Sequence, residues 1–287
     1  MSMESTLSRT TTSGLDESTW HEIHPGKAES DPRRHRRRRR ALERSLAVAV
    51  PLLAIAAWQI LSSNGVLESR YFPAPSKILS AWGELIESGE FQRSLWASVK
   101  RIVVGYVLGC GAAVALGLAI GFVPLLRASL EPTIAALYTV PKLAILPLLL
   151  LVFGLGETSK ILLVALTCFF VVLINTISAV AGVSQKYLDV ARTVHAGWFA
   201  TICHVTLPAS LPNILTGLRI ASGLAVVVIV GAEFVAAEAG LGFLVWNSWN
   251  LGVPEYMYVG IAAISLIGVL ATALLRGFER LVTPWNR

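Results

Sequence analysis

Two ionisable side chains lie inside otherwise apolar stretches of the sequence, and they pose its first chemical question. Lys142 falls in a run from about residue 131 to 153 that also carries Pro132, Pro141 and Pro147. Proline lacks the amide that a helix interior needs, so Pro141 and Pro147 free the carbonyls of Leu137 and Leu143. A lysine at the centre of a membrane helix costs ~2.5–3.5 kcal/mol on translocon-insertion scales, which argues against lipid contact. Broken helices tend to line water-filled cavities, so Lys142 is a candidate for a translocation path. In the plainer reading the helix starts later and Lys142 snorkels to the headgroups, leaving a span of only about a dozen residues. Glu233 stands at the end of another apolar run. It is read as an inward-facing gate or buried hydrogen-bond acceptor, with solvation at the interface as the alternative.

Enzymic chemistry has no foothold beside these two residues. No G-x-x-x-x-G-K-[ST] occurs, since Gly26-Lys27 is followed by alanine and lacks the earlier glycine, so ATP cannot be bound in the P-loop manner. The five histidines are spread out without an H-E-x-x-H, and no carboxylate pair faces a plausible cleft. Cys110, Cys168 and Cys203 are too few and too scattered for a disulfide framework or a metal cluster. No catalytic residue, no metal ligand and no cofactor of its own are therefore assigned to this chain.

The elements that must position Lys142 and Glu233 are membrane helices. With 54% hydrophobic and 15% charged residues and a mean hydropathy of +0.65, the composition is wrong for a soluble protein. Six spans are expected: residues 45–62 with a tolerated Pro51, the 25 uncharged residues 102–126, the proline-interrupted run 131–153, the 25 uncharged residues 161–185, residues 214–235, and the 20 uncharged residues 256–275. Each is near the ~20 residues that cross a ~30 Å hydrocarbon core. Between the first two spans, SRYFPAPSKIL and ESGEFQRSLW read as an extended segment and an amphipathic helix outside the membrane. Gly105, Gly109, Gly117 and Gly121 include two G-x-x-x-G spacings, which either let helix backbones approach closely or are simply tolerated.

The longest polar interruption of the second half, residues 184–219, is patterned. Leu188, Ala191 and Val194 recur at helical spacing, Gly197 offers a turn, and residues 198–205 read as a second short helix that Leu207-Pro208 and Pro212 stop. Two short amphipathic helices between spans look built to be gripped by another protein. Residues 1–40 form a polar tail, expected to be disordered to about Asp31, ending in Arg33, Arg34 and the arginines 36–40. Next to a first span these arginines are topogenic and touch anionic lipid; a nucleic-acid role is the lesser reading. Six spans then put both termini and residues 184–212 in the cytoplasm.

The central segment resembles the EAA loop of ABC-importer permeases, whose pattern is E-A-A, three residues, G, nine residues, I, one residue, L-P. In that register Asp189, Val190 and Ala191 stand on E-A-A, His195 on the glycine, Val205 on the isoleucine, and Leu207-Pro208 on L-P. His195 is the real departure, and Gly197 is a possible substitute for the turn. The motifs FPAPSKIL, SVKRIVVGYVLG, VPKLAILPL, FGLGETSKI, LPASLPNILTGLRIASG, AEFVAAEAGLGFLV and TPWNR, in this order, are similar to the nitrate/taurine/sulfonate import branch.

The resemblance implies an all-α membrane protein with the six-helix, MetI-like fold of a type I importer, located in the bacterial inner membrane. It implies a second permease copy, a separate ABC ATPase that holds the ATP and magnesium, and an extracytoplasmic substrate-binding protein. The coupling residues would be Asp189, Ala191, Arg192, His195, Gly197, Leu207 and Pro208. The substrate leans toward aliphatic sulfonates, with nitrate, taurine or another small anion as alternatives, and a cation at Lys142 would balance the anion in passage. A secondary transporter without an ATPase is the reading from another class; it should show repeated halves or ionisable residues along several spans, and neither is seen.

Overall fold

The structure, a computed structural model, describes residues 32–285 and divides into two units, Met1–Ala57 and Trp58–Arg287. In the first, helix α1 (Pro32–Ser63) begins and continues across the boundary. The arginines at 33, 34 and 36–40 thus lie on its opening turns, past the point at about Asp31 to which disorder was expected; residues 1–31 of the tail lie outside the described residues. Pro51 is accommodated within α1, as membrane helices allow.

Every regular element among the described residues of the second unit is a helix. Ala74 is extended and Pro75 opens α2 (Pro75–Glu87), the position where a missing amide costs nothing. Gln59 closes that helix start, accepting the Ser76 amide at 3.0 Å and donating to the Ser76 hydroxyl at 3.1 Å. Gly89, at φ 77°, turns the chain into α3 (Glu90–Phe122). Here the structure departs from expectation: the amphipathic segment and the second span are one helix of 33 residues. Nothing between Glu90 and Phe122 breaks a helix, so the charges Glu90, Arg93, Lys100 and Arg101 ride on its first turns.

Helix α4 (Pro124–Thr139) is followed by a 3₁₀ turn (Lys142–Ile145) and α5 (Leu146–Phe153), with a bend of 81° at the break. Val140 is extended, as a residue before proline prefers. Helix α6 (Glu157–Ala181) precedes the short helices α7 (Gln185–Thr193) and α8 (Trp198–Thr201). A π turn (Ile202–Thr206) then leads into α9 (Leu207–Ala236). Pro208 and Pro212 do not end the segment as expected. Pro208 sits in the first turn of α9, and Pro212 forfeits one bond, so Trp198–Ala236 runs on as 39 continuous residues. The chain closes with α10 (Leu241–Leu251) and α11 (Pro254–Val282).

Among the described residues five helices are long and apolar enough to cross a membrane, or six if the bent pair counts as one span. The core lies between α3, α6 and α9, where Ala113, Leu163, Val164, Cys168, Val172, Ala221 and Ala225 are fully buried. A Cβ at Gly105 would come within 2.7 Å of Val164, at Gly109 within 2.2 Å of the Ala165 carbonyl, at Gly117 within 2.7 Å of Thr176, and at Gly121 within 2.8 Å of Val180. The glycine ladder is therefore a close-approach seam. Its rising register on both helices makes α3 and α6 parallel. Helix α9 runs against them, with Gly217 beside Asn175 and Glu233 beside Arg101. One end of this trio thus gathers the starts of α3 and α6 and the end of α9. The other carries α7 and α8.

Candidate functional site

At the α7–α8 end, local backbone chemistry makes the site. The Ala196 amide donates to the Ala191 carbonyl at 2.9 Å and the His195 amide to the Arg192 carbonyl at 3.0 Å. This nested pair is a Schellman turn, which needs a left-handed residue at its centre. His195 supplies it, with φ 51°, at the position where the resembling pattern has glycine. Gly197, the expected substitute, is extended (φ −63°, ψ 159°) and opens α8 instead. The departure from the pattern is thus one of residue type, not of backbone geometry.

The side chains sort by face. Ala191 is buried at 3% exposure within the chain itself, and Leu188 is half-buried. Tyr187, Val190 and Val194 line up along the outer face of α7, and Trp198 and Phe199 continue it on α8; Val194 is 70% and Phe199 72% exposed. Asp189 and Arg192 pair at 3.0 Å with both side chains exposed, which contributes about 0–1 kcal/mol. Leu207 and Pro208, half-buried, begin α9, so the loop is continuous with a core helix.

The opposite end is built on charge. Glu233 has no exposed surface and accepts from Arg101 Nη1 at 2.6 Å and from the Gly242 amide at 2.8 Å. The Ser98 hydroxyl lies 2.8 and 2.9 Å from its two oxygens and accepts the Leu241 amide at 2.8 Å. Arg101 also donates to the Ala239 carbonyl at 2.7 Å, and its Nε and Nη2 grip Glu157 at 2.8 and 2.5 Å. The carboxylate of Glu233 therefore closes the start of α10, where free amides and the helix dipole favour an anion. A two-pronged guanidinium–carboxylate contact fixes α3 to α6 in the same place. Gly240 (φ 140°) and Gly242 pass so close that a Cβ would fall 2.4 and 2.8 Å from Glu233. Beside this node opens a cavity of about 620 Å³ whose lining includes Arg93, Glu157, Lys160 and Glu238. Lys160, buried, donates to the Leu155 and Gly156 carbonyls at 2.8 and 3.1 Å.

Lys142 belongs to neither end. Its ammonium donates to the carbonyls of Leu137, Tyr138 and Val140 at 2.7, 3.0 and 2.8 Å, closing the C-terminus of α4. The Leu137 carbonyl that Pro141 frees is thus taken by the next side chain. The Phe170 ring lies 4.7 Å from Nζ. The Leu143 carbonyl is not left free, since the Leu146 amide donates to it.

The structure thus gathers Asp189, Ala191, Arg192, His195, Gly197, Leu207 and Pro208 into one continuous segment, and holds Glu233 and Lys142 apart from it. Sequence reasoning missed Ser98, Arg101 and Glu157, because Arg101 was taken as the border of a span. A signal was present. Stepping back from Gly105 by four, three and four residues lands on Arg101, Ser98 and Ser94, all buried on the face of the glycine ladder.

By fold, this is a membrane protein of the kind seen in binding-protein-dependent importers. Solved inward-facing structures of the MetNI methionine ABC transporter superpose with a TM-score of 0.59 at 16% identity, covering 66% of this chain and 94% of theirs. The family of binding-protein-dependent transport system inner membrane components matches residues 105–284, and the chain belongs to it. Among relatives, the putative aliphatic sulfonates transport permease protein SsuC of Bacillus subtilis (strain 168) is 37% identical over 237 residues, 83% of this chain and 86% of its own. The taurine transport system permease protein TauC of Escherichia coli (strain K12) is 33% identical, with 85% and 92% covered. The nitrate import permease protein NrtB of Leptolyngbya laminosa is 32% identical, with 85% and 90% covered. The chain is a multi-pass inner-membrane permease subunit of an ABC importer of the nitrate/taurine/sulfonate branch. It is not an enzyme: the ATPase is a separate subunit, and membership of this family implies that ATPase and a substrate-binding protein as partners.

Proposed function

We propose that this permease translocates aliphatic sulfonates, and that the outer face of α7–α8 is the seat of its ATPase. The observation that carries the second statement is the unburied row Tyr187, Val190, Val194, Trp198 and Phe199 on a segment continuous with the core helix α9. A soluble partner that covers it gains roughly 25 cal/mol per Å² of apolar surface removed from water. Movement at that seat then reaches α9 through Leu207 and Pro208. Asp189, Arg192, His195 and Gly197 shape the seat, and Ala191, buried inside the loop, keeps α7 folded onto it. ATP and magnesium reside on the ATPase.

Two copies of the chain form the pathway, with both termini and residues 184–212 in the cytoplasm and the Glu233 node on the outer side. Lys142 takes part in the path as the cap that keeps α4 and α5 broken, its charge facing an anion in transit. The sulfonate assignment is supported by the 37% identity to the Bacillus protein, against 33% and 32% for the taurine and nitrate relatives. The test is uptake by proteoliposomes holding this permease, its ATPase and its binding protein. Ethanesulfonate should be accumulated and should outcompete taurine and nitrate. Taurine or nitrate taken up in preference would overturn the sulfonate assignment, and uptake without ATP would overturn the coupling.

A further inference from the structure

A groove of about 730 Å³ runs along the surface between α9 and α11, and the node and loop described above make no use of it. Its floor is small: Gly223 on α9, and Gly268 and Gly277 on α11, where an added Cβ would meet nothing within 4 Å. These glycines therefore differ from the α3 ladder, where the neighbouring helix occupies the space. The Thr272 hydroxyl in the wall is turned onto its own helix, donating to the Gly268 carbonyl at 2.9 Å. The upper groove thus offers shape and apolar surface without free donors. Its other end carries Arg276 and Arg280, one helical turn apart and both exposed. Among the described residues neither has an ion-pair partner, since the nearby carboxylate Glu279 is held by Arg219. From Ser265 to Arg280 the groove extends roughly 22 Å at 1.5 Å per residue. One leaflet of a ~30 Å hydrocarbon core is about 15 Å deep, so the groove spans a leaflet and reaches the headgroups.

We propose that this groove is a binding site for an anionic phospholipid, its acyl chain against Gly223 and Gly268 and its phosphate between Arg276 and Arg280. The division of the groove matches the division of such a lipid. A small soluble anion would leave most of the apolar length empty. A second copy of this chain would have to bury two unpaired arginines, which is costly without acidic partners. Basic pockets between membrane helices recognise anionic headgroups in this way.

The test uses the full chain purified in mild detergent, with native mass spectrometry after addition of phosphatidylglycerol, phosphatidylcholine or glycerol 3-phosphate. Phosphatidylglycerol should be retained at least tenfold better than phosphatidylcholine, and glycerol 3-phosphate should not compete. Arg276→Gln with Arg280→Gln should bring the two lipids to near parity. Gly268→Leu should abolish retention by filling the groove, with the melting temperature unchanged; should that variant not fold, the arginine pair carries the test alone. A photo-crosslinker at Ala273 should label phospholipid. Phosphatidylglycerol retention unchanged in the arginine pair, competition by glycerol 3-phosphate, or a crosslink from Ala273 to a second permease chain would each overturn the proposal.

Discussion

At the Glu233 end, four elements meet on one buried carboxylate and one buried guanidinium, and nearly every donor and acceptor is used. At the α7–α8 end, a nine-residue helix is held by a backbone turn and a few half-buried side chains, and its apolar face looks outward. The difference teaches what each end resists. A buried ion pair is strongly destabilising to break from one side, because the remaining charge has no partner. A short helix with an open face has little stability of its own and gains it from whatever covers it. The close seam of α3 on α6 connects the two.

The comparison is broken most severely at the charged node. Arg101→Ala should cost about 3–5 kcal/mol by leaving Glu233 buried and unpaired, seen as loss of folded protein in detergent thermal melts. Replacing Arg101 with Met together with Glu233→Gln should recover part of that loss; no recovery would mean the pair is not coupled. The seam comes next. Gly109→Ala places a methyl against the Ala165 carbonyl and should cost about 1–3 kcal/mol, whereas Gly111→Ala, which meets nothing within 4 Å, should cost nothing measurable. Equal melting temperatures for the two would show that the seam is looser than described.

At the loop, effects on stability should be small. A left-handed non-glycine residue carries a penalty of roughly 1–2 kcal/mol, partly offset by the entropy that glycine loses on folding. His195→Gly should therefore stabilise α7 by under about 1 kcal/mol, read as slower hydrogen exchange at the Ala196 amide, with uptake retained. Faster exchange there would mean that the imidazole, not the backbone, holds the turn. Smallest of all, Asp189→Asn should shift stability by no more than about 0.5 kcal/mol, as expected for an exposed pair. A larger drop in the detergent melting temperature would mean that this pair holds the loop.

Much of the fold was legible because apolar length is a coarse and robust signal. The uncharged runs located the spans, and the loop pattern located the start of α8 at Trp198, although α8 ends at Thr201 and a π turn takes the rest of the expected 198–205 helix. The errors share one cause, which is that charge and proline were read as boundaries. Arg101 lies inside a helix because Glu157 and Glu233 neutralise it, and those partners are 56 and 132 residues away in sequence. Pro208 and Pro212 lie inside a continuous segment because Pro208 follows directly on the π turn at the start of α9 and Pro212 costs the helix a single bond. Ala191 packs within its own loop, and helical spacing alone does not tell which face is covered by the chain itself. The glycine ladder stood on the page as a stripe, but a stripe does not name its neighbour.

The central claim is that the α7–α8 face, and not the charged end, receives the ATPase. Its most direct test is photo-crosslinking in the assembled transporter, with p-benzoylphenylalanine at Val194 in one preparation and at exposed Trp249 of α10 in another. The account predicts a crosslink to the ATPase from position 194 and none from 249. An intact complex that crosslinks to the ATPase from 249, or never from 194, would contradict it.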